Sequence, residues 1–275
     1  VSNLTYDQNG NILALSRQGV NDFTNGVFSF GAMDDLTYRY QANRLIQVDD
    51  AISLPNLPMD IPQFRDGNNG PVQVQNPSSH EYQYDPNGNI IQDANKGISV
   101  EYNHLNKPEK VSFIDPADNR FGQKIRYQYR ADGVKLRQEV LTNGVVVKQT
   151  DYINGFQYEA NDNNADGILD ARSLLHFQHE EGRVTVNGSR FALEYVIKDH
   201  LGNSRITFGD SDQNGIAEVL QEDQYYPFGM QHSGAFLQAN PAQQYRYNGK
   251  ELQDELNLGW EDYGARMLDQ TIGRW

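Results

Sequence analysis

The sequence contains no cysteine, little positive charge and no long hydrophobic run. Of its 275 residues, 23 are Lys or Arg and 37 are Asp or Glu, so the formal net charge is −14. Phosphate recognition needs clustered Lys and Arg, so this balance argues against a nucleic-acid partner. Without cysteine there is no disulfide framework and no thiol nucleophile. No apolar run approaches the roughly 20 residues of a membrane span.

The start of the chain lacks two further features. It begins at Val1, and no charged region followed by an apolar stretch marks a signal peptide. We therefore expect the sequence to be a piece of a longer polypeptide. Aliphatic residues are scarce as well, since only 37% of the chain is hydrophobic, yet 16 Tyr and 12 Phe are present. Acidic disordered chains are poor in aromatics, so simple disorder is not expected.

A short motif recurs along the chain. Residues 6–12 read YDQNGNI and residues 84–90 read YDPNGNI, with weaker copies at 38–45, 102–111, 127–136 and 245–251. Tyrosines two positions apart share one face of a strand, and Asn-Gly pairs supply the positive φ of tight hairpin turns. The pattern predicts an all-β array of antiparallel hairpins with few short helices. The two best copies are marked by Tyr6, Asp7, Gly10, Tyr84, Asp85 and Gly88.

Two stretches interrupt this rhythm. Residues from about 50 to 80 are rich in Pro, Asn and Gly, and we interpret them as a long insertion on the surface. Residues 161–170 form a second, acidic insertion. Helical patterns are weak, and the best short candidates are 241–244 and 250–255.

The C-terminal third carries four further motifs in order. They are KDHLGN at 198–203, YYPFGM at 225–230, YNGKE at 247–251 and YGARMLDQTIGRW at 263–275. Together with the YD units, these motifs resemble RHS proteins, relatives of which include the Tc-toxin C components and teneurins. The sequences of these motifs are most similar to the versions found in Bacteroidota. The matching positions are Asp199, His200, Gly202, Tyr226, Pro227, Gly229, Tyr247, Gly249, Tyr263, Arg266, Gly273 and Arg274.

The resemblance implies a fold and a role. In this family the hairpins form a sheet that spirals into a hollow shell around the protein's own variable C-terminal domain, often a toxin, and a core region plugs one end. We expect repeats at 1–190 and the core region at 191–275. The implied role is a structural container that is secreted or on the bacterial cell surface. The implied partners are the rest of the parent chain, upstream and downstream, together with secretion machinery or other surface proteins.

The sequence departs from the family in two places. Asp269 is followed by Gln270 where family members usually have proline, so the local turn is uncertain from sequence. The chain also stops at Trp275, before the aspartates of the family's autoproteolytic site. We therefore expect no self-cleavage and no toxin activity from these residues.

Two acidic loops are candidate calcium sites. Asp162, Asn164 and Asp166 precede Gly167 at the alternate spacing of a calcium loop, with Asp170 at position nine. The second loop repeats the pattern, with Asp210, Asp212, Asn214 and Glu218. Both lack the glutamate at position twelve, and Asp, Asn and Gly also simply make solvated turns. Calcium is the only cofactor that the sequence suggests.

No catalytic constellation is present. His176 and His179 are three apart on a predicted strand and point to opposite faces, so a shared metal is not expected. No G-x-S-x-G or phosphate-binding loop occurs. We therefore expect a protein that is not an enzyme. The alternatives to the container are a surface module that binds glycans or a protein partner through its tyrosines and, least favoured, an autoprotease or hydrolase.

Overall fold

Three antiparallel β-sheets follow one another along the chain in the computed structural model. The structure describes residues 1–54, 57–58, 61–67, 75–187, 190–210, 214–232 and 243–275. The first sheet contains four strands in the order β1-β2-β3-β4. These are β1 (Ser2–Tyr6), β2 (Ile12–Thr24), β3 (Val27–Gln41) and β4 (Arg44–Asp50).

The second sheet has 13 strands, and each pairs antiparallel with its neighbours in the chain. They are β5 (Tyr82–Tyr84), β6 (Ile90–Asp93), β7 (Ile98–Tyr102), β8 (Pro108–Phe113), β9 (Lys124–Tyr129), β10 (Lys135–Thr142), β11 (Val145–Ile153), β12 (Phe156–Asn161), β13 (Ser173–His179), β14 (Gly182–Asn187), β15 (Arg190–Lys198), β16 (Ser204–Gly209) and β17 (Glu218–Glu222). The third, small sheet consists of β18 (Glu251–Gln253), β19 (Trp260–Asp262) and β20 (Met267–Asp269). The all-β, antiparallel hairpin prediction is confirmed.

Helical structure in the described residues is limited to four single 3₁₀ turns, at Pro77–Ser79, Pro227–Gly229, Tyr247–Gly249 and Glu255–Asn257. The predicted helix at 250–255 is wrong, because Glu251–Gln253 pairs with Trp260–Asp262 as a strand. Half of the other candidate, 241–244, lies outside the described residues. Within the described ranges, no helix is both long and apolar enough to cross a membrane.

Glu81 joins the first sheet to the second. Its backbone N–H donates to the carbonyl of Ile46 at 3.0 Å, and its own carbonyl accepts from the N–H of Ala94 at 2.9 Å. Its carboxylate also accepts from the backbone N–H of Val48 at 2.9 Å. One buried residue therefore links β4 to the start of β5 through its backbone and its side chain, where no regular strand pairing is described.

The insertion at 50–80 is not simply a surface loop. Among its described residues, Leu57, Ile61 and Phe64 are buried, and the first two pack against Val20 of β2. The surface prediction is wrong for these residues because the long β2–β3 hairpin presents apolar side chains that need covering. The insertion at 161–170 lies between β12 and β13 and is largely exposed.

Two buried clusters hold the molecule together. The first lies on β2 to β5 and includes Leu15, Leu36 and Val48 together with Ile272 near the C-terminus. The second lies on β7 to β9 and includes Val111 and Ile125, closed by Leu258 and Trp260. The C-terminal segment, defined here as residues 243–275, therefore packs against both larger sheets. The predicted boundary at 190/191 falls inside β15, between its first two residues, and β15 is paired with β14 in one sheet.

Candidate functional site: the repeat turns and the C-terminal segment

The YD motif forms a five-residue turn closed by its aspartate. In the first copy, the Asp7 carboxylate accepts from the backbone N–H of Asn9 and Asn11, both at 2.8 Å, and from the Asn11 side-chain amide. The backbone closes the turn through Asp7 N–H to Asn11 O and Gly10 N–H to Asp7 O. The hydrogen bonds from the Asn11 side chain and backbone lower the pKa of Asp7. Asp7 is thus an anionic staple across the turn.

Two other turns repeat this arrangement. Asp85 accepts from the backbone and side-chain amide of Asn89 at 2.9 and 2.8 Å, and Asp199 does the same with Asn203 at 3.1 and 2.9 Å. Asn103 accepts from the N–H of Leu105 and Lys107 in the weaker copy at 102–111. The core motif DHLGN is therefore a YD-type turn in structural terms, with the exposed His200 at its tip.

The glycine of each turn supplies the positive φ, as predicted, but the preceding residue does not. Gly10 and Gly88 have φ of 82° and 90°, whereas Asn9 and Asn87 are not among the positive-φ residues. The predicted tight Asn-Gly hairpin is corrected to this longer turn, because the aspartate carboxylate holds the amides that a two-residue turn would pair across strands.

Asparagine side chains connect successive turns. The Asn43 Oδ1 atom accepts from Asn9 and Asn11 at 3.2 and 3.1 Å. At the second copy, Asn106 Oδ1 accepts from Asn87 and Asn89 at 2.9 and 3.1 Å. Each YD turn is thus tied to the tip of the next hairpin.

Tyrosine hydroxyls add a second link between neighbouring repeats. Tyr40 donates to the carbonyl of Ile12 at 2.8 Å, and Tyr84 donates to that of Leu45 at 2.9 Å. In the core region, Tyr225 donates to the carbonyl of Ser204 at 2.9 Å. The ring covers apolar surface while its hydroxyl satisfies a backbone acceptor, which explains why tyrosine replaces aliphatic residues here. Tyr6, by contrast, is half exposed.

The four C-terminal motifs contact one another directly. Asn203 of the first motif accepts from the Asn248 backbone N–H at 2.8 Å, and Tyr263 of the last motif donates to the Asn248 side chain at 2.6 Å. Gly229 lies so close to the ring of Tyr247 that a Cβ atom there would be 2.5 Å from it. Four motifs spread over residues 198–275 therefore form one packed unit.

The glycines at 229 and 273 fit this packing. Gly273 lies against the ring of Phe228, where a Cβ atom would come within 2.8 Å. Tyr226 donates to the carbonyl of Gln18 in β2 at 2.7 Å, and the exposed Pro227 follows it. Gly249 and Gly202 supply positive φ at the ends of their turns, at 65° and 80°.

The end of the chain is seated on the first sheet. Arg17 pairs with Asp34 at 2.6 Å, both side chains being fully buried, and donates to the carbonyl of Thr271 at 2.6 Å. Tyr38 donates to the carbonyl of Ile272 at 3.1 Å. Burial raises the pKa of Asp34, opposed by the Arg17 guanidinium beside it. The ion pair thus fixes the C-terminal segment to β2 and β3.

Cation–π contacts surround the last residues. The guanidinium of Arg274 lies 5.3 Å from the ring centroid of Tyr40, and that of Arg266 lies 4.9 Å from the ring centroid of Trp275. Asp269 and Arg274 exchange two backbone hydrogen bonds, and the Asp269 carboxylate accepts from the N–H of Thr271. The turn after Asp269 therefore forms with Gln270 in place of the expected proline.

Charged residues of the C-terminal segment face the second sheet. Lys135 of β10 contacts the carboxylates of Glu251 at 2.6 Å and Asp262 at 3.0 Å. Burial lowers the pKa of Lys135, but the two carboxylates outweigh it and raise the pKa above its usual value. Beside them, burial raises the pKa of Glu261 to about 9, and one of its carboxylate oxygens has no hydrogen-bond partner. Ionisable groups are thus concentrated under this segment.

The acidic loops at 161–170 and 210–218 use their oxygens within their own turns. Asp162 accepts from the backbone N–H of Asp166 and Gly167, at 3.1 and 2.9 Å. Asp210 accepts from the N–H of Asn214 and Gly215, both at 2.8 Å. Asp212 lies outside the described residues. Across the ranges that the structure describes, no three His, Asp or Glu side chains form a group that could hold a metal ion.

The remaining predicted positions can also be located. The Asn164 side chain contacts Asp166, and Asp170 accepts from Asn163 at 2.7 Å. Glu218 begins β17. His176 is buried, and the half-buried His179 accepts from the backbone N–H of Glu181 at 3.2 Å and has its Nε2 atom 3.2 Å from the carbonyl oxygen of Glu194.

The sequence reasoning missed the buried charged residues, namely Arg17, Asp34, Glu81, Lys135, Glu251 and Glu261. None stands in a recognisable motif except Glu251, the last residue of YNGKE. One signal was available in the sequence. Where alternate residues of a strand are apolar and face the core, a charged residue on that same face is expected to be buried with a partner.

Comparisons with known proteins agree with this fold. No protein-family model matches the chain, and no curated protein sequence matches it. Among solved structures, TcdB2-TccC3-Cdc42 is similar over 99% of this chain, with a TM-score of 0.62 and 16% identity. TcdB2-TccC3 is similar over 100% of it, with a TM-score of 0.53 and 14% identity.

The likeness concerns the fold. This chain spans only 14% and 18% of those two chains. The same holds for TcdB2-TccC3 without its hypervariable C-terminal region, at a TM-score of 0.52. The predicted RHS-like fold is thereby confirmed, and the Bacteroidota likeness stays a prediction.

Proposed function

We propose that the chain is a structural segment of an RHS-type β-shell that encloses or presents an attached C-terminal domain. The observation that carries the proposal is the position of the C-terminal segment, which packs against both larger sheets and buries Ile272, Leu258 and Trp260 there. The fold shared with TcdB2-TccC3 supports the same role.

The geometry fits a shell wall formed by the two larger sheets, with the C-terminal segment packed across it. Hairpin turns tied by Asn43 and Asn106 stiffen one edge of the sheets. The C-terminal segment crosses from β10, through Lys135, to β2, through Arg17. Such long-range contacts hold a curved sheet in one shape, because a meander alone connects only neighbouring strands.

Location and partners follow from the same proposal. We infer that the protein acts outside the cell or on its surface, with the rest of the parent chain as its main partner. Secretion machinery or other surface proteins are further partners.

Protease protection in the parent polypeptide tests the container role. A domain that follows Trp275 should resist added protease while the shell is folded and become sensitive in the Ile272→Asp variant, which places a charge in a buried cluster. Ile168→Asp, at a site 71% exposed, should leave protection unchanged. Equal digestion of the enclosed and the isolated domain would contradict the proposal.

The same proposal holds that the chain turns over no substrate. Incubating the purified parent protein and mapping its termini should reveal no cleavage within residues 1–275. A cut inside this range would instead favour the autoprotease alternative.

The second candidate function is a binding module, and one observation favours it. Phe191, Leu193, Tyr195 and Ile197 alternate along β15 and are 38 to 59% exposed. Contiguous apolar patches mark interaction sites. A soluble, monomeric 1–275 chain that binds a glycan or protein would favour this role, whereas a chain that needs its neighbours in the parent would favour the container.

Calcium binding by the two acidic loops stays part of the proposal. Added calcium should raise the melting temperature, and Asp162→Asn together with Asp210→Asn should abolish the shift. An unchanged melting temperature at millimolar calcium would remove calcium as a ligand.

A further inference from the structure

We propose that Lys135 and Asp262 form an intramolecular isopeptide bond with Glu251 as the proton-transfer group. The bond would tie β10 of the second sheet to β19 of the C-terminal segment. This inference stands independently of the container role.

The three side chains converge from three separate strands. Lys135 opens β10, Glu251 opens β18 and Asp262 ends β19. Glu251 and Asp262 are directly opposite each other in the β18–β19 pairing, so their side chains share a face. The Lys135 Nζ atom is 2.6 Å from Glu251 Oε2, 3.0 Å from Asp262 Oδ2 and 3.2 Å from Gln253 Oε1. Reacting groups held at such distances have a high effective concentration.

The surroundings exclude water. The side chains of Lys135, Glu251 and Asp262 are 9, 11 and 14% exposed. The Nζ atom lies 4.6 Å from the ring centroid of Tyr152 and 6.0 Å from that of Tyr127. The low exposure of the three side chains limits the access of water that would hydrolyse the product.

Each group has a defined part in the step. Glu251 takes a proton from the Lys135 ammonium and passes it to Asp262 Oδ2, which leaves a neutral amine as nucleophile and a neutral carboxyl group as electrophile. The amine nitrogen attacks the Asp262 carboxyl carbon, and a carbon–nitrogen bond forms. The bond from that carbon to Oδ2 breaks, and this oxygen, which already carries the first proton, leaves as water with a second proton that Glu251 moves from the amine nitrogen. Ammonium plus carboxylate therefore give amide plus water, with no external reactant.

Further hydrogen bonds distinguish the two carboxylates. Asp262 Oδ1 accepts from the backbone N–H of Gly264 at 2.8 Å, which stabilises the oxygen that stays on the carbon. Glu251 Oε1 accepts from the Tyr152 hydroxyl at 2.9 Å and from Gln157 at 3.4 Å. These donors hold Glu251 in place, and its Oε2 atom, 2.6 Å from Lys135 Nζ against 3.0 Å for Asp262 Oδ2, is the nearer proton acceptor. The reaction occurs once per molecule, so it need not be fast.

Mass spectrometry of the folded parent protein, digested after denaturation, tests the bond. We expect a branched peptide that joins Lys135 to Asp262 and is lighter by one water molecule than its two components. Lys148 is an internal control, because it contacts Glu159 at 3.1 Å and Glu255 at 3.7 Å but is 36% exposed, and it should remain unlinked.

Three variants separate the parts of the mechanism. Lys135→Arg keeps the charge and should show no linkage, and Glu251→Gln should reduce the linked fraction at least tenfold. Asp262→Asn should retain the link with loss of ammonia in place of water. Unlinked peptides from folded wild-type protein would show an ion pair only and overturn the proposal, as would a link to Glu251 or no effect of Glu251→Gln.

Discussion

Asp85 shows at the residue scale why the repeat needs an aspartate. Its two oxygens accept from the backbone and side chain of Asn89, so one carboxylate satisfies amides that the turn leaves unpaired. Burial acts in the opposite direction, but these hydrogen bonds lower the pKa of Asp85. The staple is therefore ionised at neutral pH.

We predict that Asp85→Ala lowers the free energy of unfolding by about 1 kcal/mol, the cost of leaving turn amides unpaired. Asp85→Asn is the matched control and should cost less, because Asn103 already accepts two backbone N–H groups at the equivalent place. Urea denaturation at pH 7 measures both. Equal losses for alanine and asparagine would show that an amide oxygen does not replace the carboxylate, and would contradict the prediction.

The pKa of Glu261 shifts in the opposite direction to that of Asp85. Burial raises its pKa to about 9, from an ordinary value of 4.5. A carboxyl whose pKa is raised in the folded state is protonated there, so it favours folding at low pH and opposes it as pH rises from about 4.5 towards 9. Glu81, with a pKa raised by burial to about 7, acts in the same direction.

We therefore expect wild-type stability to fall between pH 5 and pH 8, and the Glu261→Gln variant to lose about 2 kcal/mol less over this range. Glutamine keeps the oxygen that accepts from Gln270 at 3.0 Å. Urea denaturation at the two pH values gives the comparison. An identical pH dependence in both proteins would show that Glu261 is ionised or solvated in the folded state.

What the sequence predicts at this scale depends on distance along the chain. Asp7 and Gly10 were predictable, because their partners lie within four residues. Thr271, whose carbonyl accepts from Arg17, lies 254 residues away from it, and Glu251, which pairs with Lys135, lies 116 residues away. Only tertiary packing brings such groups together, so no local pattern could identify them.

At the scale of elements, the alternation of aromatic and polar residues predicted the strands, and the positions of Asp, Asn and Gly predicted the turns. Tyr38 and Tyr40 share β3, and Tyr127 and Tyr129 share β9, as their spacing predicts. The apolar side chains of the insertion at 50–80 were the exception. Pro, Asn and Gly dominate its composition, and they conceal the few positions, such as Leu57 and Ile61, that pack onto β2.

The four C-terminal motifs act as a single element because their turns interlock. Gly229 and Gly202 both have positive φ, at 93° and 80°. Only Gly229 has a ring against it, that of Tyr247, whereas nothing lies within 4 Å of a Cβ atom at Gly202. A substitution at Gly202 therefore changes backbone strain alone, whereas one at Gly229 changes both backbone strain and packing.

We predict that Gly202→Ala costs about 1 kcal/mol through backbone strain alone, and that Gly229→Ala costs about 1–3 kcal/mol more because Tyr247 must move. Thermal denaturation of both variants measures the difference, and proteolysis of residues 243–275 should increase only for Gly229→Ala. Similar losses at the two positions would mean that the motifs do not depend on this contact.

For the molecule as a whole, the second sheet reverses the usual distribution of polarity over β13 to β17. One face carries Arg183, Glu194, Thr207 and Gln221, all of them buried. The other face is apolar and exposed in part. Its members are linked by direct pairing across strands and comprise Phe177, Val184, Leu193, Phe191, Val186, Tyr195, Phe208 and Val219. The low aliphatic content thus fits a sheet that buries polar side chains on one of its faces.

This apolar face makes a prediction about the isolated chain. Residues 1–275 should self-associate, since exposed apolar patches drive association. Phe191→Thr with Leu193→Thr removes side chains that are 59 and 52% exposed and introduces threonine, a β-branched residue that favours strands. We expect the association to weaken about tenfold, which corresponds to about 1.4 kcal/mol.

The control is Ile168→Thr with Ile216→Thr, which changes two residues that are 71 and 68% exposed but lie outside the strands. Light scattering over a concentration series should show weaker association for the Phe191 and Leu193 variant. The control variant should associate as strongly as the wild-type chain. If both pairs had the same effect, general hydrophobicity would account for the association. If only the strand pair acts, the face of β15 is a specific contact surface, which a shell must cover with other parts of its own chain or with a partner.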